Sequence, residues 1–85
     1  MTYAMYSREP YGEEELQIVD DIELQKIMVD ILLDDAEIEE DLIIELTFDE
    51  IVDLFVDTLE EGIDYFPISR VWVVDEKGKT IIDWE

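Results

Sequence analysis

The sequence predicts an α+β fold in which two helices pack on one face of a small antiparallel sheet built on a C-terminal hairpin. Three observations carry this. Apolar residues recur at three- and four-residue spacing over 46–62, and again over a stretch ending near residue 34. Two apolar segments, at 70–74 and 80–84, flank the turn sequence Asp75-Glu76-Lys77-Gly78-Lys79.

In chain order, Met1 to Gly12 holds Tyr3, Met5 and Tyr6 in a segment closed by Pro10 and Gly12, which fits a short strand at 2–6. A first helix runs to residue 34 from about 13 or 21. The acidic run Glu13-Glu14-Glu15 suits the positive end of a helix, whereas Asp20 or Asp21 would cap a later start. Its stripe is Leu24, Ile27, Met28, Ile31 and Leu32. Residues 34–41, Asp-Asp-Ala-Glu-Ile-Glu-Glu-Asp, follow as a dense charge run, and Leu42 to Leu46 is a short apolar segment that reads as strand or helix. Strand fits slightly better, because β-branched residues precede a capping position that needs extended backbone.

The second helix is written most plainly. Thr47 and Glu50 have the spacing of a capping box, and Leu46 and Ile51 that of a hydrophobic staple. Phe48, Ile51, Val52, Phe55, Val56 and Leu59 form its apolar stripe, and Gly62 supplies the C-terminal cap. After Pro67, Val71-Trp72-Val73-Val74 is apolar on both faces and reads as a covered central strand. A type I turn with Gly78 in a G1 bulge returns the chain as Thr80 to Trp84. In the register that turn implies, Trp72 faces Ile82 in the core and Arg70 faces Trp84, within reach of a cation–π contact. Trp84 fits the core or a partner surface equally.

At 85 residues with 48% hydrophobic content, the chain is one domain able to build a core, unlike an acidic disordered tail. It has no cysteine, which suits a reducing cytoplasm, and neither a membrane-length apolar run nor a signal peptide is read in it. Enzymatic chemistry starts weak. With no His and no Cys, the usual base, soft metal ligands and nucleophile–base pairs are missing. The acidic run is no EF-hand, since its sixth position is Glu39 or Glu40 where glycine is needed; no cofactor is expected.

Charge dominates the remainder: 26 acidic against 5 basic residues give a formal net charge of −21. Such a surplus repels nucleic acid and anionic membranes, so the expected partner is a basic protein surface. High-salt adaptation is a competing cause. Lys26 is the one cation between Arg8 and Arg70, so the outer face of the second helix is purely anionic. Like charges four residues apart cost a few tenths of a kcal/mol per pair, which Asp49, Asp53 and Asp57 repeat. That face either serves solubility or is the binding surface. On the second reading the partner-binding residues are Asp34, Asp35, Glu37, Glu39, Glu40 and Asp41 in the charge run. Asp49, Asp53, Asp57, Glu60, Glu61 and Asp64 complete the set.

Two resemblances follow from these residues. The segment Gly62-Ile63-Asp64-Tyr65-Phe66-Pro67 distantly resembles the Gly-x-Asp…Tyr-Tyr-Pro element of colicin nuclease immunity proteins, which implies nuclease contacts by Asp64, Tyr65 and Phe66. The downstream hairpin departs from that all-helical family. In size, charge and sign segregation, without a shared motif, the chain resembles phage-encoded DNA-mimic inhibitors of the anti-restriction and anti-CRISPR type. That resemblance implies a non-catalytic inhibitor occupying the nucleic-acid site of a basic enzyme or nuclease. An immunity or antitoxin protein, or an acidic adaptor, is the alternative.

Overall fold

A computed structural model describes residues 1–9, 11–62 and 68–85. The elements are β1 (Thr2–Arg8), β2 (Glu14–Asp20), α1 (Asp21–Asp34), α2 (Phe48–Glu61), β3 (Arg70–Asp75) and β4 (Thr80–Trp84), with a 3-10 turn at Glu40–Leu42. The strands form one antiparallel sheet in the order β2-β1-β3-β4. The N-terminal segment thus supplies a central strand, and the expected α+β architecture is present.

Alternation along the central strands sorts the sheet into two faces. Tyr3 and Met5 of β1, Val19 of β2, Val71 and Val73 of β3 and Ile82 of β4 are buried on one face. They join Leu24, Met28 and Leu32 of α1 and Ile51, Val52, Phe55 and Leu59 of α2 in a single core. Phe55, Leu24, Met28 and Leu32 are fully sealed, so both helix stripes meet the sheet. α1 lies over β2 and β1, while α2 packs on α1 and β4. The first turns of both helices approach the start of β1, where the Tyr3 ring stacks 5.8 Å from Phe48 and the Met1 ammonium meets the Asp21 carboxylate at 3.3 Å. The two helices therefore start at the same end of the sheet, and the 35–47 connection travels back along α2.

Three expectations need correction. The helix start near residue 13 is wrong, because Glu14–Asp20 is a strand paired along its whole length with β1. Asp20 is the cap: it is extended (φ −93°, ψ −178°), and its carboxylate accepts the Glu23 N–H at 2.8 Å. A residue in that conformation ends any helix running into it. Leu42 to Leu46 is not a strand either. Its backbone bonds are local, from Leu42 N–H to Glu39 and from Ile43 N–H to Glu40 at 3.0 and 2.9 Å.

The hairpin is present, but its register differs by one. The turn is as expected, with Gly78 at φ 83° and its N–H donating to the Asp75 carbonyl at 3.0 Å. A further irregularity between Val73 and Val74 leaves Ile81 as an extra residue, so Val73 opposes Ile82, Trp72 opposes Asp83 and Val71 opposes Trp84. A one-residue slip exchanges faces. Trp72 consequently lies on the sheet face away from the helices, half-buried beneath no helix, and Trp84 packs partly against the core. Arg70 sits 5.5 Å over the Trp72 ring, and Val71 takes the place opposite Trp84 expected for Arg70. β3 is central, as expected, but the helices cover only one of its faces.

Candidate functional site

The capping box that opens α2 is complete. The Glu50 N–H donates to the Thr47 hydroxyl at 3.3 Å and the Thr47 N–H to the Glu50 carboxylate at 3.2 Å. With its start fixed there and its stripe buried, α2 has one rotational setting, and Asp49, Asp53, Asp57, Glu60 and Glu61 are all exposed. Gly62 ends the helix at φ 92°.

The second acidic group is placed by the connection. Asp34 closes α1 and Asp35 caps it, its N–H donating to the Ile31 carbonyl at 2.9 Å. Glu37 takes a left-handed conformation (φ 55°), and the Ile38 N–H then reaches the Leu32 carbonyl at 2.9 Å. Beyond this corner, Glu39 precedes the 3-10 turn and Glu40 and Asp41 open it, all three with exposed side chains. Asp64 lies outside the described residues, as do Tyr65 and Phe66, and with them most of the Gly62–Pro67 element.

Charge run and helix row are separate in sequence, yet they border one surface. A groove of about 490 Å³ runs between α2 and the returning connection. Ile38, Leu42 and Leu46 from the connection and Leu54 from α2 form its apolar lining, and Glu50, Asp53 and Asp57 rim it. Of the expected site residues, Asp53 and Asp57 line the groove directly. Glu37, Glu39 and Asp41 are chain neighbours of its Ile38 and Leu42. Asp49, Glu60 and Glu61 extend the row at both ends of α2, while Asp34 and Asp35 sit at the corner before the connection.

None of these carboxylates is neutralised by an ion pair among the described residues; the one between side chains joins Arg70 to Asp83 at 3.8 Å across the hairpin. Arg8 and Arg70, direct neighbours across β1 and β3, belong to the sheet face opposite the helices. Lys77 and Lys79 stand in the hairpin turn, where their backbone N–H groups both donate to the Asp75 carboxylate at 2.9 Å. Lys26, the remaining cation, is exposed on α1, so neither α2 nor the 35–47 connection carries a basic residue. Among the described residues, no group of three or more acidic side chains is disposed to hold a metal ion, and no helix is long and apolar enough to cross a membrane.

Sequence reasoning missed the groove's floor. Leu54 lies off the Ile51–Phe55–Leu59 stripe, in the midst of the acidic positions, and that misplacement was the available signal. Leu42, directly after Glu39, Glu40 and Asp41, was another. No protein-family model matches the chain, and no curated protein or solved structure matches it significantly.

Proposed function

We propose that this protein is a non-catalytic inhibitor acting in the cytoplasm, which presents carboxylates where a basic nucleic-acid-binding protein or nuclease expects phosphates. The observation that carries the reading is that the α2 row and the connection bearing the 37–41 run border one groove, whose lining holds Glu50, Asp53 and Asp57 and no basic residue. Residues four apart on a helix stand roughly 5–6 Å apart at Cβ. The phosphates of one DNA strand recur about every 3.4 Å of helix axis, so acidic rows from two segments can together supply a comparable potential. A folded scaffold also holds those charges in place before binding, and less ordering entropy is lost than with a flexible acidic tail. The protein needs no direct contact with nucleic acid or membrane for this role.

The test begins with nucleic-acid-binding enzymes retained from a host lysate by the immobilised protein, each then purified. Labelled DNA should be displaced from such an enzyme by this protein, with an apparent affinity that falls steeply as salt rises. Replacing Glu39, Glu40, Asp41, Asp53 and Asp57 together by their amides should abolish displacement while the fold persists. DNA and this protein binding one enzyme simultaneously would refute the proposal. Retention of one toxin encoded alongside the gene, without DNA competition, would instead indicate an immunity protein.

A further inference from the structure

Phosphate mimicry alone calls for charge, and an apolar trench along the charged surface adds nothing to it. The trench nevertheless runs beside the acidic row. Its volume of about 490 Å³ falls in the range of side-chain-binding clefts. Its lining is aliphatic on both sides, from Leu42 and Leu46 to Leu54, and its rim on α2 is Glu50, Asp53 and Asp57. Leu42, in that lining, keeps 64% of its surface in solvent. Exposed apolar patches rimmed by polar residues are a feature of interaction sites.

We infer that the groove between α2 and the returning connection docks a basic amphipathic segment of the target, inserting an aliphatic or aromatic anchor whose flanking Lys or Arg side chains meet the acidic rim. This rests on the proposal that the acidic surface faces a basic protein, and it names the recognition element there. Charge complementarity selects the occupant. A second copy of the chain would bring another net −21 against the rim, and a fatty acid would bring a carboxylate. A cationic segment gains from both parts of the site, because its apolar anchor leaves water while its charges neutralise Glu50, Asp53 and Asp57. Helix-in-groove recognition uses this combination, with anchors at three- and four-residue spacing. The anchor gives the contact residence time, and the rim gives it rate and salt dependence.

The probes are three synthetic peptides of equal net charge. One is an amphipathic helix with leucines along one side and Lys and Arg on the other; the second has the same composition with the leucines dispersed around the helix; the third is oligolysine. Binding is measured by fluorescence anisotropy at two salt concentrations, against the intact protein and the Leu42→Gln and Asp53→Asn/Asp57→Asn variants. The amphipathic peptide should bind at least ~10-fold more tightly than the other two, in line with burial of one large apolar side chain. Leu42→Gln should remove that advantage while leaving oligolysine binding unchanged, and the double Asn variant should weaken all three. Because Leu42 is largely exposed, its replacement should leave the circular dichroism spectrum unaltered. Amide shifts of the unsubstituted protein, which should cluster at Ile38, Leu42, Leu46 and Leu54, decide the matter if that variant fails to fold. Equal binding of all three peptides would overturn the groove and leave the acidic surface as a charge-only site. Binding of none would overturn the groove as well, and DNA competition on the purified enzyme would then judge mimicry by itself.

Discussion

The Tyr3 ring stacks on the Phe48 ring at 5.8 Å with planes 27° apart, tying the central strand β1 to the first turn of α2. Burial and the carboxylates of Asp21, Asp75 and Asp49 around it push the Tyr3 phenol up to about 12, and interaction with the Tyr3 hydroxyl holds the Asp21 carboxyl below its usual range. A tyrosine in the unfolded chain ionises near 10, so its raised folded value gives stability that is fully present below about pH 10 and is lost as pH rises toward 12. The Asp21 contribution has the opposite sense. It is present above the unfolded carboxylate range near 4 and is lost as pH falls through the lowered value. Urea midpoints of the wild type should therefore drop between pH 9 and 11 more than those of Tyr3→Phe. Parallel declines in the two would show that Tyr3 is not the group responsible.

Thr47 and Glu50 offer a way to separate stability from charge. Thr47→Ala removes the side-chain acceptor of the Glu50 N–H and should cost about 1 kcal/mol, with every carboxylate of the row retained. Glu50→Gln keeps an acceptor for the Thr47 N–H and should cost less, while removing one charge from the groove rim. Equilibrium unfolding of both variants checks the order.

On the outer face, the Tyr6 and Trp72 rings stack at 4.9 Å with planes 27° apart, and Arg70 lies over the indole. A double-mutant cycle replacing both rings should return a coupling of about 0.5–1.5 kcal/mol. Phe55→Ala, which empties a fully buried core position, should cost roughly 3–5 kcal/mol. Trp72→Ala should cost clearly less than Phe55→Ala. Equal costs would put Trp72 in the core, which is the register the turn alone implies.

That register explains how far the sequence could be read. The α2 boundaries were legible because Thr47, Glu50 and Gly62 act through local backbone bonds, and the hairpin turn because Gly78 satisfies a local conformational demand. The Ile81 irregularity is set by how the sheet packs, so nothing in 80–84 announces it, and Trp72 changed faces as a result. β2 was hidden for a related reason. Leu16 and Ile18 alternate as a strand requires, but they are 55% and 63% exposed, so the pairing with β1 holds that segment and burial contributes little. The acidic residues were readable as a set, since their exposure follows from the buried stripe of α2. Their meeting across an apolar groove was not readable, because it depends on the connection running back beside the helix.

Glu37 gives a test of that connection. A non-glycine residue in the left-handed region costs about 1–2 kcal/mol, part of which glycine returns through its greater freedom in the unfolded chain. Glu37→Gly should therefore raise stability by roughly 0.5–1 kcal/mol in denaturant titrations. A loss would mean that the side chain supports the corner that Ile38 and Leu32 close.

The acidic row should also carry a stability signature, and its members should not behave alike. Asp49 lies in the first turn of α2, where a negative charge is favoured by the exposed N–H groups, and its repulsion from Asp53 offsets that gain. Asp49→Asn should be near neutral. Asp53 lies between Asp49 and Asp57, and Asp57 in turn is four residues before Glu61, so both feel repulsion without the compensation of the helix start. Asp53→Asn/Asp57→Asn should stabilise by about 0.5–1 kcal/mol at low salt. The last turn of α2 holds no basic residue, and Glu60 and Glu61 face the negative end of the helix. Glu61→Lys replaces an unfavourable charge with a favourable one and should stabilise by a comparable amount, about 0.3–1 kcal/mol. Added salt screens all of these interactions, so it should raise the wild-type melting temperature and narrow the gap to each variant. Differential scanning calorimetry at 10 mM and 500 mM salt measures both effects. A wild-type melting temperature indifferent to salt would show that the row's charges stand too far apart to repel, and the helix face would then have to be read as an ordinary solvated surface.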